Sequence, residues 1–182
     1  MDIMIEEFSA QNRHELNCID SVFTVKSKLV LHTEGDTIGY SVVNVPCYVK
    51  HYPRHETTLE AYLTQQHKGI FFARYKGQIV GQLILYQNWH DYAYIDDLVV
   101  DAEVRGRGIG RKLVDYAIQW AKERNCPGLM LETQNINVAA CHFYERCGFI
   151  LGGFDQYLYR ALTPDTEEIA LYWYMLFSPS HA

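Results

Sequence analysis

Tyr94-Ile-Asp-Asp-Leu-Val-Val-Asp-Ala-Glu-Val-Arg-Gly-Arg-Gly-Ile-Gly-Arg-Lys112 is the stretch around which the chain is organised. It reads as an apolar strand ending at Val100, a short turn, and a glycine-rich loop from Arg105 to Gly110. The loop opens into a helix with apolar positions at Ile109, Leu113, Ala117 and Trp120. Glycines let backbone N–H groups approach a ligand closely, and a helix start adds unpaired N–H groups and a positive dipole end. Arg105, Arg107, Arg111 and Lys112 place four of the chain's sixteen basic residues beside this loop, although the net charge is −6. The pattern predicts an anion site.

Loop spacing separates three anions. A Walker loop needs Lys-Ser or Lys-Thr after its glycines, and none follows. A dinucleotide fingerprint matches Gly106 and Gly108, with Glu132 as a stand-in for the ribose-binding acid. Its third glycine falls one residue early, at Gly110, and the fingerprint usually opens a doubly wound sheet. The third pattern, Arg/Gln-x-x-Gly-x-Gly/Ala, is met by Arg105, Gly108 and Gly110. Here the chain resembles the GCN5-related N-acetyltransferase superfamily, in which this loop holds the pyrophosphate of acetyl-coenzyme A.

A second hallmark stands at the expected distance: Asn137, Ala140, Phe143, Tyr144, Gly148 and Phe149. The resemblance implies one α/β (α+β) domain over residues 1–182, a mixed, mostly antiparallel sheet flanked by helices. That sheet splays between the strand ending at Val100 and the one ending at Glu132. Acetyl-CoA is the implied cofactor. Leu98, Val99, Val100, Arg105, Gly106, Arg107, Gly108, Ile109, Gly110, Arg111, Lys112, Asn137, Ala140 and Tyr144 are its implied contacts. Within the superfamily, Trp89, Tyr92, Ile95, Asp96, the run Leu131–Gln134, Gly152, Gly153, Asp155 and Glu168–Tyr174 are similar to the streptothricin acetyltransferases. That closer likeness covers residues 69–177. It implies transfer of acetyl to the β-lysine amine of streptothricin, with polyamine, peptide or protein-lysine acetylation and a non-catalytic acetyl-CoA-binding module as alternatives. Residues 1–68 form the variable acceptor-side part.

Amine acetylation needs a neutral nitrogen and a proton for the departing thiolate. An alkyl ammonium titrates near pH ~10.4, so a nearby carboxylate must take its proton. Asp96 and Asp97 are candidates, and adjacent strand residues point oppositely. The resemblance favours Asp96, with Tyr94 on the same face; capping of neighbouring backbone is the structural alternative. Tyr144, a phenol of pKa ~10, can assist a thiolate whose acid lies near ~8.5, or it belongs to the core. Asn137 reads as an N-cap, a cofactor contact, or both. Glu132 is read as binding the acceptor's cation, and Trp89 and Asp91 as a substrate wall or a plain surface turn.

With 182 residues, 48% hydrophobic and 21% charged, the chain reads as an ordinary globular protein. Its acidic balance argues against a nucleic-acid or anionic-membrane surface and favours a small cationic substrate. No leader or membrane-length apolar run is apparent, so a cytoplasmic location is expected. The five cysteines lack Cys-x-x-Cys spacing and are read as reduced, mostly buried thiols, with Cys141 and Cys147 in the core. His51 and His55 lack a metalloprotease glutamate, so no metal is expected.

Elsewhere, a strand and a polar helical turn (Gln11–Leu16) precede a hairpin of Val22–His32 and Thr37–Val45, turned at Glu34-Gly-Asp36. Pro46 and Pro53 bracket a connector, and a helix from Glu56 stops near Gly69. Ile70–Tyr75 and Gln78–Gln87 form a hairpin about Lys76-Gly77. The long helix ends at Asn125–Gly128, and Gly128–Thr133 is a strand completing a right-handed βαβ unit. A second helix spans Asn137–Cys147, with apolar positions at 140, 143 and 147. Strands Phe149–Ala161 and Ile169–Phe177 follow; Tyr172, Trp173 and Tyr174 are core or the edge of a homodimer.

Overall fold

The computed structural model describes residues 2–35, 37–52 and 59–178. In chain order its elements are β1 (Met4–Glu7), β2 (Phe23–Glu34), β3 (Thr37–Lys50), α1 (Leu59–Thr64), β4 (Lys68–Tyr75), β5 (Gln78–Gln87), β6 (Ala93–Val100), α2 (Ile109–Glu123), β7 (Gly128–Gln134), α3 (Val138–Cys147), β8 (Ile150–Asp155) and β9 (Ala170–Leu176). It is an α+β fold whose chain contacts gather into two compact units. One holds residues 2–21, 59–129 and 177–178, the other residues 22–35, 37–52 and 130–176.

In the first unit the strands run β1-β4-β5-β6, each antiparallel to its neighbour. The β4–β5 hairpin turns at Lys76 and Gly77, both at positive φ (50° and 81°), as a two-residue turn matched to the strand twist requires. β4 is buried on both faces, which explains its unbroken apolar run. Phe71 packs on Tyr116 of α2, ring centroids 4.6 Å apart. Phe72 and Ile70 join Phe8 and Ile84 in a cluster covered by Leu59 and Tyr62 of α1. α2 lies close on β5 because Gly81 has no side chain: a Cβ there would stand 3.0 Å from Leu113 and 3.2 Å from Ala73 and Ile109.

A polar node sits inside this unit. Gln82, 1% exposed, donates to Asp97 Oδ2 (2.6 Å) and Asn17 Oδ1 (2.9 Å) and accepts from the Asn17 N–H (2.8 Å). The Arg74 guanidinium grips Glu6 and Glu15, holding both carboxyls below the usual range chiefly through hydrogen bonds to Arg74. The N-terminal segment is thereby tied to β4, β5 and β6.

In the second unit β9 lies between β7 and β8, and Trp173 is buried. Trp173 is therefore core, and Tyr172 and Tyr174 are half-buried on a strand paired on both sides. Asn135, 2% exposed, is the staple of this unit. Its side chain donates to the Leu29 carbonyl (3.1 Å) and accepts from the Ile169 N–H (3.0 Å). Its backbone accepts from the Leu29 N–H (2.8 Å) and donates to the Ile169 carbonyl (2.9 Å). α3 begins with the Asn137 side chain accepting from the Ala140 N–H and ends at Gly148, φ 99°.

Three boundaries differ from the sequence reading. β3 runs through Pro46 to Lys50, because the ladder shifts register where Val25 faces Tyr48 and Ser27 faces Asn44. A proline without an N–H is tolerated at such a bulge. α1 ends at Thr64, short of Gly69, while Pro53, Asp36 and the expected helix start at Glu56 lie outside the described residues. β8 ends at Asp155, whose Oδ1 accepts from the Tyr157 and Leu158 N–H groups and turns the chain into a short helical segment, Leu158–Ala161. In α3 the buried positions are Cys141, Tyr144 and Cys147, with Ala140 and Phe143 half-buried. Of the cysteines, Cys126, Cys141 and Cys147 are buried, Cys18 and Cys47 exposed, and all five are free. Among the described residues no helix is long and apolar enough to cross a membrane.

Two substitutions test the polar ties by urea unfolding. Asn135→Ala strands the Leu29 carbonyl and the Ile169 N–H, and is expected to cost at least ~2 kcal/mol. Gln82→Leu leaves Asp97 and Asn17 without their shared partner, with an expected cost of ~1–3 kcal/mol. A loss below ~0.5 kcal/mol in either would show that water replaces the bonds.

Candidate functional site

The first unit carries the anion loop. Asp101 Oδ1 accepts from the Glu103 N–H (2.9 Å), turning residues 102–104. Arg105 Nε donates to the Val100 carbonyl at 2.9 Å, clamping the loop onto the strand end. Gly106 and Gly108 adopt φ of 76° and 83°, and a Cβ at either would meet nothing within 4 Å. Backbone conformation, not packing, demands glycine there, and the space beside it stays open. Gly108 is the N-cap of α2 and offers no side chain to the first-turn N–H groups, and no acid stands in that turn. Ile109 is buried and anchors the helix start, whereas Arg107 and Lys112 are exposed and Arg111 pairs with Asp115 (2.9 Å). Gly110 lies within the helix. Backbone amides, a helix dipole and several cations gather at this loop, groups of the kind that suit a phosphate.

Along β6, Val99 is buried while Leu98 and Val100 are half-buried, as alternation requires. Midway the register slips: Ile84 faces Asp97 and Leu85 faces Ile95, so Asp96 is the extra residue of a β-bulge. The bulge gives the two carboxylates different fates. Asp97 is held by Gln82, whereas Asp96 is exposed. Burial first, and then the Asp96 charge, pushes the Tyr62 phenol up to about 12 and also raises Tyr86. Tyr86 and Tyr94 face each other across the strands with rings 5.4 Å apart. Asp96 thus stands among phenols from α1, β5 and β6, an arrangement suited to a cation. Tyr62 and Tyr86 were missed in the sequence; extending the hairpin register to Tyr94 would have found Tyr86.

Trp89 and Asp91 lie in the loop before β6, at the end opposite the anion loop, about 25 Å away along an eight-residue strand. Trp89 is 88% exposed with its ring against His90, centroids 3.5 Å apart. Asp91 has φ 66° and accepts from Gln87 at 3.2 Å. The turn is built by Asn88, whose Oδ1 accepts from the His90 and Tyr92 N–H groups, both at 3.0 Å. The structure brings Tyr94 and Asp96 to the middle of the strand and keeps Trp89 and Asp91 in their own turn.

The second unit carries the remaining residues. Tyr144 is 8% exposed, with its ring edge-on to Phe149 (5.6 Å) and beside Phe143 (5.3 Å). Glu132, on β7, is pushed up to about 7 by burial, against the lowering effect of a hydrogen bond from Tyr159. Close by, the Tyr52 hydroxyl donates to Glu168, which also takes the Lys50 ammonium, and the Tyr52 and Tyr159 rings lie 5.6 Å apart. Tyr52 and Tyr159 come from segments far apart in sequence and had no motif to announce them, whereas Glu168 opens the Glu168–Tyr174 run on which the resemblance rests.

Residues 40–149 match the model of the Acetyltransferase (GNAT) family. Streptothricin acetyltransferase A of Bacillus subtilis (strain 168) is 34% identical over 175 residues, covering 96% of this chain and all of that one. A crystal structure of a candidate streptothricin acetyltransferase from Bacillus anthracis str. Ames, in complex with acetyl coenzyme A, superposes with a TM-score of 0.89 at 41% identity. It covers 98% of this chain and 99% of that one. The crystal structure of nourseothricin acetyltransferase superposes at 0.80, with 28% identity over 97% and 99% of the two chains. A family match across more than half of the chain, joined to kinship along nearly all of it, leads to one conclusion: the protein belongs to the GNAT family and is an N-acetyltransferase.

Proposed function

We propose that the protein transfers the acetyl group of acetyl-CoA to streptothricin, at the amine of its β-lysine, and so confers resistance to that antibiotic. The observation that carries this reading is the extent of the kinship. The sequence motifs pointed to streptothricin acetyltransferases over residues 69–177 only, yet the match to the Bacillus subtilis enzyme covers 96% of the chain. It therefore includes the N-terminal third, which the sequence reading assigned to the acceptor. The proposed setting is the cytoplasm, consistent with five free thiols.

The residues fit the cofactor. Left-handed glycines with open space beside them and an uncapped helix start suit a pyrophosphate. Arg105, Arg107, Arg111 and Lys112 supply charge, the amides of Gly106, Gly108, Ile109 and Gly110 supply donors, and Asn137, Ala140 and the β6 backbone from Leu98 to Val100 complete the proposed contacts. When bound, acetyl-CoA supplies an activated acetyl thioester. The protein's own groups do the rest. Asp96, exposed on its bulge and flanked by Tyr62, Tyr86 and Tyr94, attracts the ammonium and takes its proton directly or through water. Amides after Leu98 polarise the carbonyl under attack, and the Tyr144 hydroxyl donates a proton to the departing sulfur. Glu132 holds a cationic group of the acceptor, and Trp89 and Asp91 border the acceptor from the far end of β6.

Thiol release from acetyl-CoA by the purified protein tests the reading against streptothricin, spermidine, free lysine, an aminoglycoside and a lysine peptide. Turnover is expected to be highest on streptothricin by at least ~10-fold, equivalent to ~1.4 kcal/mol of transition-state preference. Equal or greater turnover on another amine would replace the acceptor. Tyr144→Phe is expected to lower kcat by ~10²–10⁴-fold with acetyl-CoA affinity unchanged; an undiminished kcat would remove this phenol from the proton path.

A further inference from the structure

Glu132 is the one acid on β7, following the apolar run Leu129–Leu131, and its surroundings are built with a direction. The Gln134 amide donates to Tyr159 Oη at 2.6 Å, and the Tyr159 hydroxyl donates to Glu132 Oε1 at 2.5 Å. A phenol has a single proton, so with its oxygen occupied by Gln134 that proton is aimed at the carboxylate. Gln134 sits two residues after Glu132 on the same face of β7, and Tyr159 reaches both from the helical segment after β8. No described Lys, Arg or His forms an ion pair with Glu132. This is costly construction for a carboxyl that no cation among the described residues holds.

We propose that Tyr159, aimed by Gln134, is the positioning residue for Glu132, and that the ionised Glu132 is the proton-sensitive receptor for an ammonium group of the acceptor. The inference rests on the reading of Glu132 as a cation binder and adds its orienting partners and its dependence on pH. Two opposing forces set that dependence. Burial disfavours the charged carboxylate and brings it to about 7, while the Tyr159 bond favours the charged form. Among the described residues, the thiol and phenols facing it stay protonated and neutral near pH 7. Burial pushes Cys141 of α3 up to about 12 and raises Tyr159, Tyr52 and Tyr172 of β9 above the ordinary phenol range. Glu168 lies one residue further out, engaged by Lys50 and Tyr52.

The acceptor's ammonium remains charged to pH ~10, so receptor ionisation governs binding over the neutral range. The acceptor KM should fall by ~10-fold per pH unit below about 7 and level off above it. Removing the Tyr159 hydroxyl removes a lowering effect, so the carboxyl rises further and the break moves to higher pH.

The experiment measures KM and kcat from pH 5.5 to 9.5 with streptothricin, or with spermidine if that is the amine turned over, so that failure of the proposed acceptor leaves this test intact. In Glu132→Gln the acceptor KM is expected to be raised at least ~10-fold at pH 8 and to lose its break, with the KM for acetyl-CoA unchanged. In Tyr159→Phe the break should move up by ~1 unit, leaving KM within about twofold of wild type at pH 9.5. A break that survives in Glu132→Gln would overturn the receptor, and an unmoved break in Tyr159→Phe would overturn the positioning role. Folding is checked by Tm at pH 8. There an ionised, buried carboxyl opposes folding, because its folded value lies above its unfolded one and stability falls as pH rises between them, so Glu132→Gln should melt no lower than wild type.

Discussion

The second unit hangs on one buried amide. Asn135 carries four hydrogen bonds, two from its side chain and two from its backbone, that bind β2 and the approach to β9 to the end of β7. Three residues earlier stands Glu132, and two residues later Asn137 starts α3, so the carboxyl and the helix carrying Tyr144 are both indexed from this point. A buried amide whose side-chain nitrogen and oxygen and backbone N–H and C=O are each engaged strongly disfavours any other register. The chemistry attributed to this unit therefore depends on a residue that touches none of it.

Three carboxylates of similar intrinsic acidity are given three different environments. Asp97 is locked by Gln82 into the tie with the N-terminal segment. Asp96, its neighbour, is turned outward by a single extra residue in the strand and lends its charge to the phenols around it. Glu132 is sunk in the second unit, where burial brings it to about 7. A carboxylate near water stays charged and attracts cations at any physiological pH, whereas a sunken one responds to pH.

What the sequence disclosed followed local physics. The anion loop was legible because positive φ at Gly106 and Gly108 can be met cheaply only by glycine, and because a basic cluster broke an acidic composition. The β4–β5 hairpin and both long helices were legible from period and terminators. The details lost were those set by distant partners: Tyr52, Tyr62 and Tyr159 join their clusters from separate elements, and no spacing rule links them. The Asp96 bulge was hidden because alternation assumes equal counts on both strands, and the early end of β8 because Asp155 redirects the chain through its own side chain. The N-terminal third carried no motif, and its kinship emerged only from whole-length comparison.

The proline inside β3 bears on how the protein survives in a crowded solution. β2 and β3 form a two-stranded sheet of 12 and 14 residues, and β3 exposes Val42, Val43, Tyr48 and Val49. A flat, apolar strand of that length is a template on which another chain can pair. Pro46 deletes one donor from the ladder, and the bulge beside it twists the strand away from flatness. The hairpin can thus be long and apolar without offering a continuous hydrogen-bonding edge along β3.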